Sequence, residues 1–429
     1  MSKYPRVFRV RQTFHAPRVE DIDAEVKAEL AKLNLSDKIQ PGESVAISAG
    51  SRGIANIHLV IRGIVQHLQS IGAEPFIVPA MGSHGGGTAE GQRGIIEKYG
   101  ITEEFCGCPI KASMETVIVC TSEEGIPVHF DKHAYGADHV VVCGRVKPHT
   151  NFHGDIESGL MKMMLIGLGK HEGAKIYHRA ISDYSFGQIV RSIAKEVLSQ
   201  CGVVAGVAII ENAYDETGKI EAVAPENFES REKELLALSK EWMPKLPFDH
   251  AQILAIDGIG KDISGSGMDT NIIGRKFNDH KAAEHEFPKI KKIIVRGLTP
   301  ATKGNATGIG MSEFCKTSVV NEIDVNATRI NCITGNHLTA AMTPLHYESD
   351  AEILDVCMVS SGLATPPEIS MMWINNTLEI GEVEVSESYW DEAQSREDLE
   401  ILTEIRDLPI DDDGQMLNMT DSDWYSGSA

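Results

Sequence analysis

Short apolar segments that alternate with helical ones dominate the first half of the chain. The segment SVAIS (44–48) is followed by a small-residue loop and an amphipathic helical pattern over 57–72, and PFIVPA (75–80) begins a second such unit. The segments 138–146 and 203–212 are again apolar enough for buried strands. Short strands separated by helices predict an α/β fold with mainly parallel sheets whose faces are covered by helices.

The length of the chain and a proline-containing break near residue 245 predict two α/β domains. With 429 residues the chain exceeds the size of one ordinary hydrophobic core. A charged helical segment over 226–243 is followed by PKLPFDH, and a second α/β pattern begins with AQILAIDGIG at 251. We therefore predict domains at 1–245 and 246–429 with an active-site cleft between them. Whether the acidic segment from about 386 packs back on the first domain is left open.

Composition restricts the class of partner. The chain has 40 Lys and Arg against 62 Asp and Glu, and this formal net charge of -22 disfavours nucleic acid or anionic membrane as the main partner. The sequence shows no apolar run of membrane-spanning length and no signal-peptide pattern, and its eight cysteines lie mostly in apolar runs. These features predict a cytoplasmic protein that binds a small molecule, and they leave a homo-oligomer open.

Reactive side chains follow three of the predicted strands. Arg52 lies in the loop after 44–48, His84 in the loop after 75–80, and 138–146 leads into the segment 147–178 with its four histidines and four lysines. Because the carboxyl ends of parallel strands meet at one edge of a sheet, we expect Arg52, His84 and His149 to converge. Imidazole is the commonest metal ligand and lysine can be joined to a cofactor, so the segment predicts a metal or cofactor site.

These motifs together resemble the nickel-pincer nucleotide-dependent lactate racemase family. The resemblance rests on Arg52, on G-S-H at 82–84, on H-x-x-F at 149–152, on SGLMK at 158–162 and on His178, sixteen residues after Lys162. It covers most of the chain, is strongest between 44 and 180, and is weaker after 250.

The resemblance implies a cofactor and a role for each matching residue. The cofactor would be nickel pyridinium-3,5-bisthiocarboxylic acid mononucleotide, attached at Lys162 and made by separate cofactor-synthesis proteins, with His178 as the nickel ligand. His84 and His149 would alternate as acid and base on a 2-hydroxy acid. The other residues that the resemblance places at the cofactor are Ser51, Arg52, Ser158 and Gly159, and Arg52 would also hold the substrate carboxylate.

The motifs also depart from the family's pattern. Ala49 stands where the lactate enzymes have an acidic residue, and the segment before Lys162 is longer, so that His153 competes with His149 for the second acid/base role. The loop GNATGIG at 304–310 differs as well. We therefore expect a substrate more polar than lactate, such as a sugar acid epimerised at C2. The residues expected to bind it, besides Arg52, are Lys261, Lys303, Asn305 and Thr307.

Two other interpretations of the same residues stay open. One is a zinc- or iron-dependent hydrolase or lyase that uses His149, His153 and His178 with Asp155 or Glu157 as a nearby carboxylate. The other is a non-catalytic cofactor-binding protein, which would use Lys162 and His178 but would have no need for both His84 and His149.

Overall fold

The computed structural model describes residues 2–51 and 53–421 and, for His178, the backbone. The predicted roles of Arg52 at the cofactor and substrate, and of the His178 imidazole as the nickel ligand, therefore lie outside the described residues. None of the helices in the described ranges combines the length and the apolar character that crossing a membrane requires.

The regular elements alternate along the chain. The strands are β1 (Val7–Gln12), β2 (Ser44–Ala49), β3 (Glu74–Pro79), β4 (Thr116–Thr121), β5 (Pro127–Asp131), β6 (His139–Arg145), β7 (Val203–Glu211), β8 (Thr217–Val223), β9 (His250–Ile256), β10 (Lys289–Val295), β11 (Phe314–Lys316), β12 (Leu345–Tyr347), β13 (Met371–Ile374), β14 (Glu382–Ser386) and β15 (Leu399–Ile401).

The helices lie between these strands. The α-helices are α1 (Ile22–Ala31), α2 (Ile57–Ser70), α3 (Ala89–Lys98), α4 (Glu103–Cys106), α5 (Lys132–Tyr135), α6 (Leu160–Lys162), α7 (Lys170–Ala180), α8 (Phe186–Gln200), α9 (Phe228–Trp242), α10 (Thr317–Glu322), α11 (Val325–Thr334), α12 (Asp350–Val359) and α13 (Trp390–Ser395). A π-helical turn spans Met163–Gly167, and 3₁₀ turns span Leu35–Asp37, Gly85–Gly87, Pro225–Asn227, Pro300–Thr302, Ile309–Met311, Leu338–Ala341, Pro366–Glu368 and Glu387–Tyr389.

The chain forms two compact units that differ from the predicted ranges at the amino terminus. His15–Met243 form one, called here the N-terminal unit, and the chain up to Phe14 together with the chain from Pro244 forms the other, the C-terminal unit. The first residues belong to the C-terminal unit because β1 pairs antiparallel with both β14 and β15. The acidic segment after 386 belongs to the same unit, since it supplies β15.

The N-terminal unit is built on a five-stranded sheet in the order β3-β2-β6-β7-β8. The first four strands are parallel and β8 is antiparallel. Alternate residues of β2 face opposite sides: Val45 and Ile47 pack with α1 and α2, whereas Ala46 packs in the cluster that contains α8 and α9. The sheet is therefore covered on both faces, and the predicted α/β class is confirmed.

The C-terminal unit has an eight-stranded sheet in the order β12-β11-β10-β9-β13-β14-β1-β15. The five strands from β12 to β13 are parallel, and the pairings from β13 through β14 and β1 to β15 are antiparallel. A buried ion pair crosses the antiparallel part: the Arg9 guanidinium lies 2.6 Å from the Glu384 carboxylate, which also accepts a hydrogen bond of 2.8 Å from Arg406. Arg9 on β1 is thereby fixed to Glu384 on β14.

Because β1 completes this sheet, a charge on its buried face should destabilise the C-terminal unit. Val10 is fully buried between Val383 and Ile401, so Val10→Asp should lower the free energy of unfolding by ~3–5 kcal/mol. Urea denaturation followed by the fluorescence of Trp373 and Trp390 measures this. The control is Arg11→Gln on the exposed side of the same strand, which should change stability by less than ~1 kcal/mol. Equal effects of the two substitutions would contradict the assignment of β1.

Candidate active site at the carboxyl edge of the N-terminal sheet

The loops that carry Ser51 and His84 meet at one edge of the N-terminal sheet. β2 pairs in parallel with β3 on one side and with β6 on the other, so the chain leaves all three strands at the same edge. The Ser51 Oγ lies 2.5 Å from Nδ1 of the exposed His84 ring. Tyr99 steadies the first loop, because its hydroxyl donates to the Ser51 carbonyl at 2.9 Å. The predicted convergence is therefore seen for these two loops.

The helix that carries Lys162 packs on the same edge. Met163, the next residue, sits so close to the ends of β2 and β6 that a Cβ on Gly50 would lie 3.1 Å from its Cε, and a Cβ on Gly144 3.4 Å from it. Glycine at these two positions leaves room for the Met163 side chain. Lys162 itself is half-buried. The small residues around the strand ends thus bring the Lys162 backbone to the edge where His84 lies.

The main chain of the His84 loop is held by the buried side chain of Gln92. Its amide Nε2 donates to the carbonyl oxygens of Met81 at 2.7 Å and Gly82 at 3.0 Å. The Gln92 Oε1 in turn accepts a hydrogen bond of 3.4 Å from the Lys170 ammonium. These bonds satisfy polar groups that are removed from water, and they fix the loop that presents His84.

Lys170 links that loop to α7, the helix whose backbone includes His178. The ammonium group is fully buried, lies 3.0 Å from the fully buried Asp131 carboxylate, and donates to the Pro79 carbonyl at the end of β3. Burial lowers the pKa of Lys170, and the neighbouring Asp131 opposes that effect. In the sequence, nothing distinguishes Lys170 from the other three lysines of segment 147–178. Its full burial beside a carboxylate identifies it as a positioning residue.

The His149 ring is held in one orientation by its own loop. Its Nδ1 accepts hydrogen bonds from the backbone N–H groups of Asn151 at 3.0 Å and Phe152 at 3.1 Å. A neutral imidazole that accepts at Nδ1 carries its proton on Nε2. In this conformation His149 can therefore donate a hydrogen bond from Nε2, and it can bind a second proton only if Nδ1 gives up the backbone N–H groups.

An aromatic stack places His149 and Lys162 against the same ring. Phe152 stacks on His149 with ring centroids 4.2 Å apart, and on Phe186 with centroids 4.3 Å apart. The Lys162 Nζ lies 5.4 Å from the centroid of Phe152. The H-x-x-F motif thus brings the predicted acid/base to the predicted attachment lysine, whereas His153 is exposed.

Carboxylates near the histidine loop have structural partners. The buried Glu157 accepts a hydrogen bond of 2.7 Å from the His149 backbone N–H and one of 2.6 Å from the Lys240 ammonium. Asp155 pairs with Arg191 at 2.7 Å and with Lys233 at 3.1 Å. Both acids that a hydrolase would use are therefore engaged in ion pairs that hold the loop.

The loop around position 52 is anchored by Glu211 at the end of β7. The Glu211 carboxylate accepts from the Ala55 backbone N–H at 2.7 Å and pairs with Arg145 at the end of β6. Arg145 also donates to the Gly53 carbonyl at 3.3 Å. The residues that follow position 52 are therefore fixed by charged side chains from the neighbouring strands.

Glu232 of α9 caps the helix that bears Lys162. Its buried carboxylate accepts a hydrogen bond of 2.8 Å from the Met161 backbone N–H. It lies so near Gly159 that a Cβ there would be 2.5 Å from the carboxyl carbon. The glycine in SGLMK is required because the carboxylate occupies the space of its side chain. Ser158 is half-buried, and its carbonyl accepts from the Lys147 N–H at 2.9 Å.

The predicted substrate residues lie in loops of the C-terminal unit, where most of them bind their own loop. The Lys261 Nζ donates to the Gly265 carbonyl at 2.5 Å. The Asn305 Oδ1 accepts from both the backbone N–H of Thr307 at 3.2 Å and its hydroxyl at 2.8 Å. Lys303 is exposed and has left-handed backbone angles. The contacts of Asn305 and Thr307 are those of residues that stabilise a turn.

The described side chains include no group of three or more His, Cys, Asp and Glu residues arranged to hold a metal ion. The His178 imidazole is not among those side chains.

Gly159→Ala should test the fit between SGLMK and Glu232. The added Cβ would overlap the carboxylate, so we expect a loss of about 1–3 kcal/mol in unfolding free energy. Gly94→Ala in α3 is the matched control, because a Cβ there meets nothing within 4 Å, and it should be neutral or stabilising by up to ~1 kcal/mol. Urea denaturation followed by circular dichroism measures both. If Gly159→Ala left the unfolding free energy unchanged, the Glu232 carboxylate would not need the space beside Gly159.

Glu232 should also give the N-terminal unit a pH-dependent stability. Burial raises the pKa of Glu232 to about 7 from an ordinary 4.5, although the Met161 N–H lowers it. The folded chain therefore binds more protons than the unfolded one, so unfolding free energy falls as pH rises from 4.5 to about 7. Glu232→Gln should remove this fall between about pH 5 and pH 8 in urea denaturation.

Glu229→Gln on the same helix is the control for this pH dependence. Hydrogen bonds from Lys233 and Arg191 lower the pKa of Glu229 from its ordinary 4.5, so its effect on the slope lies below about pH 5 and Glu229→Gln should leave the slope between about pH 5 and pH 8 nearly unchanged. If the unfolding free energy of Glu232→Gln and of the wild-type protein had the same pH dependence, the raised pKa of Glu232 would be contradicted.

Comparisons with known proteins agree with the fold. Residues 6–186 match the model of the lactate racemase N-terminal domain. The solved structure of the lactate racemase apoprotein from Thermoanaerobacterium thermosaccharolyticum is similar, with a TM-score of 0.53 at 14% sequence identity over 86% of this chain and 94% of that chain. At this identity the similarity shows a shared fold. A search of curated proteins finds no match. Residues 6–186 therefore belong to the lactate racemase N-terminal domain family, which confirms the resemblance predicted from the motifs and supports a racemase or epimerase.

Proposed function

We propose that this protein inverts C2 of a 2-hydroxy acid with a nickel-pincer nucleotide attached at Lys162. The observation that carries the proposal is the meeting of His149 and Lys162 on the Phe152 ring, at the edge where His84 also lies. The match of residues 6–186 to a lactate racemase domain supports it. Separate proteins would synthesise the cofactor.

The residues present fit such a cofactor. Lys162 would be its attachment point and His178 its nickel ligand. Ser51, Arg52, Ser158 and Gly159 would lie around it. When bound, the group would supply an acceptor for the hydrogen at C2. Gly50 and Gly144 admit the Met163 side chain and Gly159 admits the Glu232 carboxylate, and this packing sets the position of the Lys162 backbone.

The two histidines would handle the proton of the substrate hydroxyl. Ser51 holds the His84 ring through Nδ1, and we propose that Nε2 is the atom that meets the substrate hydroxyl. His149 is set with its proton on Nε2 by the Asn151 and Phe152 N–H groups. A neutral His84 could accept the hydroxyl proton on one side, and His149 could return a proton on the other side only as an imidazolium, which requires its Nδ1 to release the Asn151 and Phe152 N–H groups. We propose that Arg52 holds the carboxylate with two parallel hydrogen bonds.

The substrate is proposed to be more polar than lactate, with a sugar acid epimerised at C2 as the leading class. Lys261 and Lys303 are the cationic groups proposed to contact it. Asn305 and Thr307 hydrogen-bond each other, so they would act on the substrate by shaping their loop.

The hydrolase interpretation is weaker because its carboxylates are engaged. Asp155 and Glu157 form ion pairs with Arg191 and Lys240, and the Nδ1 of His149 accepts backbone N–H groups. A non-catalytic carrier would give no reason for the contact between Ser51 and His84.

Lys162→Arg should abolish covalent attachment of the cofactor while keeping the positive charge. The guanidinium cannot replace the lysine amine in a thioamide, so intact-mass spectrometry of protein co-produced with the cofactor-synthesis proteins should show no adduct. Lys175→Arg is the matched control, because this exposed lysine of the same segment pairs only at the surface with Glu172. An adduct of unchanged mass in Lys162→Arg would rule out attachment at this residue.

The hydrogen at C2 should return to the same carbon without exchange. A proton held by His84 or His149 would exchange with solvent, whereas a hydrogen that moves as hydride would not. Nickel-loaded protein is incubated in deuterium oxide with a panel of lactate, C4 hydroxy acids and aldonic acids, and products are separated by chiral chromatography. Little deuterium at C2 and faster turnover of an aldonic acid than of lactate are expected. Rapid deuterium incorporation would contradict hydride transfer, and equal rates would contradict the substrate class.

A further inference from the structure

We infer that the C-terminal unit carries a self-association surface, formed by α11, the 3₁₀ turn Leu338–Ala341 and β12, on which a second copy of this chain binds. This inference does not depend on the proposed catalytic function. We call these residues, 325–347, the association surface.

The outer face of α11 is apolar where a surface helix is ordinarily polar. Thr328 and Cys332 form its buried side. Ile330 and Ile333, about 150° around the helix from that side at 100° per residue, have 64% and 60% of their surface exposed. The helix therefore buries its small and polar side chains and exposes its isoleucines, which its own unit does not cover.

The apolar area continues beyond the helix. α11 packs on the turn Leu338–Ala341, and Leu338, Met342 and Leu345 are each between 58% and 63% exposed. With Ile330 and Ile333, these side chains present an apolar area of roughly 300–400 Å². Contiguous patches of several hundred Å² mark interaction sites. A standard interface buries about 800 Å² per partner, of which roughly 450–520 Å² is apolar, so this area would supply most of that apolar part.

The charges of the segment indicate which partner it takes. Residues 325–345 contain no Asp or Glu, in a chain of 429 residues that has 62 of them and a net charge of -22. Asp279 contacts this segment from outside, where its carboxylate is hydrogen-bonded to His337 and Thr339. A face that itself supplies no acid lowers the repulsion between two copies of so acidic a chain. Arg329 is the one Lys or Arg in 325–345, so the face has no cationic cluster for a lipid headgroup or nucleic acid. A second copy of the chain therefore fits best.

The position of β12 agrees with this partner. β12 is an outermost strand of the eight-stranded sheet, so among the described residues no strand pairs with its outer side. Leu345, its first residue, belongs to the apolar area. Exposed edges are commonly protected by charged residues, and β12, with the sequence LHY, has no acidic or lysine side chain.

Sedimentation equilibrium of the full chain tests the inference, with Ile330→Asp/Leu338→Asp as the variant. Both side chains are exposed, so the fold should survive, and circular dichroism verifies this. The wild type should be a dimer at tens of micromolar, and the variant's dissociation constant should rise by at least ~100-fold because charges enter an apolar contact. Val359→Asp/Leu363→Asp is the matched control, since both residues are at least 85% exposed in the same unit but outside the association surface. The control should remain a dimer.

Hydrogen exchange gives a second measurement that needs no variant. Amides of 325–347 should exchange more slowly at about 100 µM than at about 1 µM wild-type protein, because mass action favours the dimer. A wild type that is monomeric at 100 µM, or an Ile330→Asp/Leu338→Asp variant that dimerises like the wild type, would overturn the inference. Equal loss of dimer in the control variant would also overturn it, since the effect would then be one of charge alone.

Discussion

The parallel pairing of β2 between β3 and β6 is the constraint on which the site depends. It makes three separate loops leave the sheet at one edge, and the contact between Ser51 and His84 is its direct consequence. Glycines at the strand ends then allow Met163, and with it the backbone of Lys162, to approach the same edge. Residues more than a hundred positions apart become neighbours through backbone pairing, before any side chain adds specificity.

Buried polar side chains from outside the motifs hold these loops in place. Gln92 and Lys170 fix the His84 loop, Glu157 fixes the His149 backbone, and Glu232 caps the Lys162 helix. Each is removed from water, so breaking one bond would leave its partner unsatisfied at a cost of about 1–3 kcal/mol. This cost explains how exposed residues such as His84 keep a defined position on a loop.

The tautomer of His149 gives the two histidines different starting states. Nδ1 of His149 accepts from the main chain, whereas Nδ1 of His84 meets a hydroxyl that can either donate or accept. His84 can therefore change protonation state with a rotation of the Ser51 hydroxyl, and His149 can do so only with movement of residues 150–152.

The sequence by itself determined the α/β class, the presence of strands near 44–48, 75–80 and 138–146, and the motifs around His84, His149 and Lys162, because these depend on local apolar periodicity and on adjacent residues. Only the tertiary structure decided that β1 completes the sheet of the C-terminal unit, that segment 101–137 includes the β4–β5 hairpin, and that Glu232 and Lys170 support the site. Those features rest on contacts between distant residues. A lone glutamate in an amphipathic helix, or one lysine among four, has no local pattern that reveals its burial.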